Sequence, residues 1–330
     1  MSLKKIAEMV GVAPSTVSRV LNNTSYNCAS KEMKDKIWEA AKNINYTPNE
    51  SARSLKKGYS VNKNHYRITI ILGRFDTLET DPFFKELFRY IEEELFANQC
   101  IIEQIVSSNK LLITTNLESD GYIILGRCSE KILSKLKEKS RNVIGVGRNH
   151  TNYDIDEVIC DGKNAAILAM EYLISNGYKK IAYIGDCSYE NRYIGYCECL
   201  MRHNLPIDYS FIYSTNQTEA EGYQVMESLC LKNDISAIFC ANDATALGIL
   251  KYLKKHVKRS KYPAIISIDN IQAAEECTPL LTTVNVPKED MGRMAVKILL
   301  DRIAHHHKEN MRVDFPCKLI VRESCPDKKI

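Results

Sequence analysis

Carboxylate, guanidinium and amide side chains recur directly behind short apolar runs of this 330-residue chain. Phe75-Asp76 follows YRITIIL, Arg148-Asn149 follows NVIGVG, Asn242-Asp243 follows SAIFCA, Asp269-Asn270 closes AIISIDN, and Arg192 opens a helical run behind YIGDCSYEN. Singly, each reads as a surface or capping residue. Together they supply acceptors, planar donors and two-way amides able to bracket hydroxyl groups, with Phe83 and Phe84 as an apolar wall, the make-up of a sugar cleft. A second set stands near the N-terminus, where Ser15, Ser18, Arg19 and Asn22 line one side of a short helical pattern. Their small hydrogen-bonding side chains suit the base edges of a DNA major groove.

The first set requires a scaffold that brings distant loops together. Between Tyr66 and Asp269, apolar runs of strand length alternate with helical runs, in two successive series. That alternation predicts an α/β chain of parallel strands with helical crossovers, folded into two similar lobes. In open sheets of this kind a ligand sits beyond the carboxyl ends of the strands, where these polar clusters fall.

The second set requires a small helical unit. Ile6, Ala7 and Val10 share one face and Val17, Val20 and Leu21 another, with Gly-Val-Ala at 11–13 as a tight turn between two helices. A third helical pattern begins near Ser30, with Met33, Ile37, Ala40, Ala41 and Ile44 on one side and Trp38 nearby, and closes a three-helix core. It stops at Asn45-Tyr46-Thr47-Pro48, because the residue before a proline is pushed out of helical geometry. Asn49 then caps a short run ended by Gly58, too short to hold a helix unaided.

Charge separates the two parts. Lys and Arg total 45 against 41 Asp and Glu, a net charge of +4. Residues 1–60 alone carry ten basic and five acidic side chains, so the remainder is nearly neutral. A basic head on a neutral body points to a polyanionic partner for the head. No run approaches the roughly 20 apolar residues of a membrane span and no secretory leader precedes the head, which predicts a cytoplasmic protein without membrane contact. The twelve cysteines are scattered without a C-x-x-C pair and read as reduced core thiols. His305-His306-His307 reads as a solvated helix end, and no metal or cofactor is expected.

The stretches IAEMVGVAPSTVSRVLNN and YTPNESARSL closely resemble the N-terminal region of the lactose/galactose repressor family of bacterial transcription regulators. The body is similar as well, through GYKKIAYIG, AIFCANDATALGIL, SIDNIQAAEECTPLLTTVNVPKEDMGRMAVKILLDRI and LIVRES. The resemblance implies a helix-turn-helix head (1–48), a hinge helix and linker (49–63), and a two-lobed core like periplasmic sugar-binding proteins (64–330). It further implies that Pro14 and Ser15 start the recognition helix, and that Thr16, Ser18, Arg19 and Asn22 contact bases or phosphates. The hinge, with Asn49 and Ala52, orders on the operator while Leu55 wedges into the minor groove. In the body, Arg192, Asn242 and Asp269 match the main polar effector contacts and Phe83 and Phe84 an aromatic pair; Arg148 joins them from its place behind a strand. Ala13 departs from the family's usual serine cap, a loss of roughly 1 kcal/mol offset in part by Pro14 at the first helical position. The loop NNTSYNCAS is about two residues longer than usual, and the connection from CIIEQIV to DGYIILG is shorter.

The expected function is a dimeric repressor that binds palindromic operator DNA and is released by a small sugar. DPFF and the short first lobe lean towards galactose or galactoside genes, and the absence of a heptad tail after VRES implies a dimer. Two other regulators remain open: one answering to a phosphorylated protein partner, and one answering to a purine corepressor. Catalysis is not expected, since GVGRNH lacks the third glycine of a dinucleotide loop and neither a P-loop nor a catalytic histidine motif is present.

Overall fold

In the computed structural model, residues 3–21, 29–44, 65–111, 118–188, 190–230 and 235–327 are described. The head contains α1 (Leu3–Val10), α2 (Pro14–Leu21) and α3 (Lys31–Asn43). Its core holds Ile6, Ala7, Val17, Val20, Leu21, Ile37, Trp38, Ala40 and Ala41, while the predicted Val10, Met33 and Ile44 are only partly buried against it. Gly11 turns the chain from α1 to α2 with φ +72°, a backbone state that costs an L side chain strain and glycine nothing. Ala13 supplies only backbone to the start of α2, its carbonyl accepting from Thr16 and Val17 N–H.

The body is two six-stranded sheets. The first has the order β11-β5-β4-β3-β1-β2 and the second β12-β10-β9-β8-β6-β7. In the first lobe the strands are β1 (Arg67–Leu72), β2 (Ile101–Ser107), β3 (Gly121–Leu125), β4 (Val143–Gly147), β5 (Asp156–Ile159) and β11 (Arg312–Asp314). In the second they are β6 (Ile181–Gly185), β7 (Ile212–Ser214), β8 (Ala237–Cys240), β9 (Ala264–Asp269), β10 (Thr282–Asn285) and β12 (Lys318–Ile320). Among the described residues every pairing is parallel except β10 with β12. Central strands such as β3, β6 and β9 are buried along their whole length, as helices on both faces require.

The chain passes between lobes three times: after β5, after β10, and between β11 and β12. The helix Lys288–Ile303 therefore returns to the first lobe and packs on the helix Pro82–Ala97 and on β3, β4 and β5. A simple reading of two successive series does not contain this return.

The expectation for the histidine tract is corrected in part. His305 and His306 are exposed, but His307 is tucked between Asp301 (2.7 Å) and the buried Asp156 (3.1 Å), which also takes a bidentate pair from Arg302. Of the eleven described cysteines, none in a disulfide, Cys160, Cys199, Cys240 and Cys325 are buried and the other seven are half-buried.

Candidate effector cleft and DNA-binding face

The carboxyl ends of the two sheets face each other across a cleft of about 710 Å³. The first lobe lines it with Arg74, Phe75, Asp76, Asp81, Phe84 and Arg148, and the second with Asp186, Ser188, Arg192, Gln217, Glu221 and Asn242. Phe75 and Phe84 stack at 4.8 Å between centroids and form the apolar wall.

Each polar side chain is held by local structure. Asn242 caps the helix Asp243–His256, its Oδ1 accepting from Thr245 N–H (3.0 Å) and Oγ1 (2.6 Å) while its Nδ2 donates to the Gln217 carbonyl (2.9 Å). Arg192 begins the helix Asn191–Arg202 and is 2% exposed. Its guanidinium donates to Glu190 Oε1 (2.9 Å), the Ala241 carbonyl (2.6 Å) and Gln217 Oε1 (2.9 Å), so one plane ties three loops together. Burial alone would raise the Glu190 carboxyl, but the Arg192 charge and its hydrogen bonds outweigh it and hold the group at about 2. Gly162 admits this packing, since a Cβ there would lie 2.4 Å from Asn149 Oδ1 and 3.2 Å from Arg192 Cγ.

Ion pairs and hydrogen bonds join the walls. Arg148 grips Asp269 with two bonds (2.7 and 2.9 Å), Arg74 reaches Asp186 (3.3 Å), Asn149 donates to Glu190 (2.9 Å), and Gln272 N–H donates to Glu86 (2.7 Å). The Arg148 guanidinium also lies 4.0 Å over the Phe83 ring, a cation–π contact. Two expected ligand contacts thereby stand behind the cleft surface: Phe83 (1% exposed) packs beneath Arg148, and Asp269 (2% exposed) is covered by it. Burial raises the Asp269 carboxyl, and Arg148 and Arg192 only partly reverse that rise.

Asp269 and Asn270 both have positive φ, +125° and +50°, costly for non-glycine residues. The buried Lys288 ammonium holds this turn by donating to both carbonyls (2.7 and 2.9 Å). Asp243 lies behind it, fully buried, accepting from Ser267 (2.5 Å), Thr283 (2.6 Å) and Ile271 N–H (2.8 Å). Burial, reinforced by nearby Asp269, pushes its carboxyl up to about 7. Sequence reasoning did not single out Asp186, Glu190, Gln217 or Lys288. For Asp186 and Glu190, the only signal was their place between a strand and a helix.

On the head, Pro14, Ser15 and Arg19 are exposed and Thr16 and Ser18 half-buried, all along α2. Asn22, Asn49, Ala52 and Leu55, with the hinge, lie outside the described residues.

The comparisons with known proteins agree with this architecture. Residues 2–49 match the description "Bacterial regulatory proteins, lacI family", and residues 170–325 match "Periplasmic binding protein-like domain". The NTD biosynthesis operon regulator NtdR of Bacillus subtilis is 32% identical over 340 residues, covering 98% of this chain and 99% of that one. The HTH-type transcriptional repressor PurR of Haemophilus influenzae is 30% identical over 345 residues, covering 98% of each. A lacI-family transcriptional regulator from Enterococcus faecium, solved with bound ribose, is 26% identical with a TM-score of 0.70, covering 80% of this chain and all of that one. A DNA-binding head on two periplasmic-binding-protein-like lobes thus defines a non-enzymatic transcription repressor. The chain belongs to the lacI family of bacterial regulatory proteins.

Proposed function

We propose that the protein represses sugar-utilisation genes by binding a palindromic operator as a homodimer, and that a small sugar in the interlobe cleft releases it. The reading divides the chain into a head (1–48), a hinge (49–63) and an effector-binding and dimerising body (64–330). It assigns base and phosphate contacts to Pro14, Ser15, Thr16, Ser18, Arg19 and Asn22, and the hinge contacts to Asn49, Ala52 and Leu55. The effector is met by Arg148, Arg192 and Asn242, with Phe84 as its apolar wall; Asp269 and Phe83 act through Arg148.

The observation that carries the sugar reading is the cleft's chemistry. Asp76, Asp186, Ser188, Gln217, Glu221 and Asn242 offer many acceptors and two-way groups around one aromatic wall. Hydroxyl groups on a ring satisfy such a lining, and an apolar ring face covers Phe84. Kinship with repressors named PurR supports a purine corepressor as the second reading. Galactose, lactose, other neutral sugars and purines titrated calorimetrically into the full chain, with operator affinity measured alongside, separate the two. A sugar that binds and lowers operator affinity is the expected result. A purine that binds and raises it transfers the assignment to the second reading, and binding of neither class leaves control by a protein partner.

A further inference from the structure

On the second lobe, away from the residues that line the cleft, Glu171, Cys199 and His203 bring one carboxylate oxygen, one thiol sulfur and one imidazole nitrogen within 4.8 Å of one another. Cys199 and His203 stand four residues apart at the end of the helix Asn191–Arg202, a spacing that puts both on one face. Glu171 reaches them from the helix Gly162–Ser175, which packs alongside. His203 Nε2 and Glu171 Oε2 are already 2.7 Å apart. The sulfur lies at the buried base, Cys199 being wholly buried, while the imidazole and carboxylate are 38% and 43% exposed at the rim. The neighbouring Arg202 guanidinium is engaged by Glu198.

We propose that these three residues bind a divalent zinc-type cation, with water completing a tetrahedron. The donor set is sulfur, nitrogen and oxygen, which suits zinc rather than magnesium or calcium. Tetrahedral bond lengths place such donors roughly 3.3 to 3.6 Å from one another, so the imidazole and carboxylate, 2.7 Å apart, separate slightly on binding. The charges balance: one thiolate and one carboxylate neutralise a divalent cation beside a neutral imidazole. On binding, the Cys199 S–H proton leaves to solvent, the sulfur lone pair forms the metal bond, and no electron is transferred. The cation ties together two helices that also meet at their N-terminal ends, where Gly162 lies against the Arg192 side chain that lines the effector cleft.

The test uses the purified full chain, stripped with chelator and titrated with zinc, then with cobalt(II) as a spectroscopic stand-in. One equivalent of zinc should bind with proton release, and cobalt should give a thiolate-to-metal charge-transfer band in the near ultraviolet. Both signals should be lost in Cys199→Ser and weakened at least tenfold in His203→Gln and Glu171→Gln. The last two change partly exposed side chains and carry the test if the buried serine variant fails to fold. His305→Gln with His306→Gln should leave the equivalent intact, since that tract is remote in sequence and lacks the thiol. Unchanged stoichiometry and affinity in His203→Gln and Glu171→Gln, or cobalt binding without a thiolate band, overturns the proposal.

Discussion

Arg148 and Asp269 are separated by 121 residues yet form a bidentate ion pair between lobes, with Asp269 2% exposed behind the guanidinium. If Asp269 meets the effector only through Arg148, replacing either by alanine should weaken effector binding by a similar amount. The double variant should then be little worse than either single one, a strongly non-additive cycle read by calorimetry. Additive losses would mean that Asp269 reaches the ligand directly. A companion expectation concerns Glu190, whose carboxylate is the charge partner of the buried Arg192. Glu190→Ala leaves that guanidinium uncompensated and should cost about 3 to 5 kcal/mol in denaturant unfolding, more than Glu190→Gln, which keeps an acceptor. The sequence exposed Arg192, Asn242 and Asp269 because each follows a strand and carries an evident donor or acceptor. Their partners were hidden for a physical reason: Glu190, Gln217 and Lys288 act through contacts fixed by tertiary approach, which periodicity does not encode.

One helix, Pro82–Ala97, spans from the cleft to the head. Its N-cap Asp81 and its Phe84 line the cleft, while at its middle Arg89 pairs with Asp35 of α3 and near its other end Phe96 meets Trp38 edge-on at 5.3 Å. Trp38 is the chain's only tryptophan, so its emission reports this docking directly. Phe96→Ala should red-shift that emission and weaken the head-to-body contact by about 1 kcal/mol, while leaving effector binding in place. An unchanged spectrum would show that the head does not rest there in solution. Beside the contact, burial raises the Glu93 carboxyl to about 7, with Asp35 and Glu289 adding to the rise and Arg89 and Arg293 opposing it. The sign follows from proton binding: between its ordinary value of 4.5 and about 7 the folded state holds a proton that the unfolded state has lost. Stability from this group is thus present below 4.5 and lost as pH rises to 7. Unfolding free energies of wild type and Glu93→Gln should diverge across that window in favour of the glutamine, by on the order of 3 kcal/mol at full effect. Parallel curves would refute the assignment. Such strands and helices were readable because buried strands are continuous apolar runs and helices carry a periodic stripe. The return of Lys288–Ile303 to the first lobe was not, since an apolar stripe marks a helix as packed without saying which sheet it packs on.

At the scale of the molecule, charge and ligand chemistry sit in separate bodies, and their coupling is limited by what the effector can distinguish. A ligand shifts operator affinity only by its own difference in affinity between lobe arrangements, and contacts such as Arg148–Asp269, Arg74–Asp186, Asn149–Glu190 and Gln272–Glu86 hold the one seen here. The positive surplus, by contrast, lies in residues 1–60. Two measurements on the same preparations test the separation. For the full chain, the logarithm of operator affinity should fall linearly with the logarithm of salt, each neutralised phosphate adding roughly 0.9 to the slope, whereas effector affinity should be nearly indifferent to salt. A chain beginning at Asn64 should keep effector binding, because every residue around the cleft is retained, and should lose both specific and non-specific DNA binding. DNA affinity retained by that shortened chain, or an operator affinity independent of salt, would place the polyanion contact on the body instead of the head. An effector affinity that falls severalfold on removal of the head would show that the docked α3 favours the ligand-binding arrangement, making the helix Pro82–Ala97 the connection through which operator and effector compete.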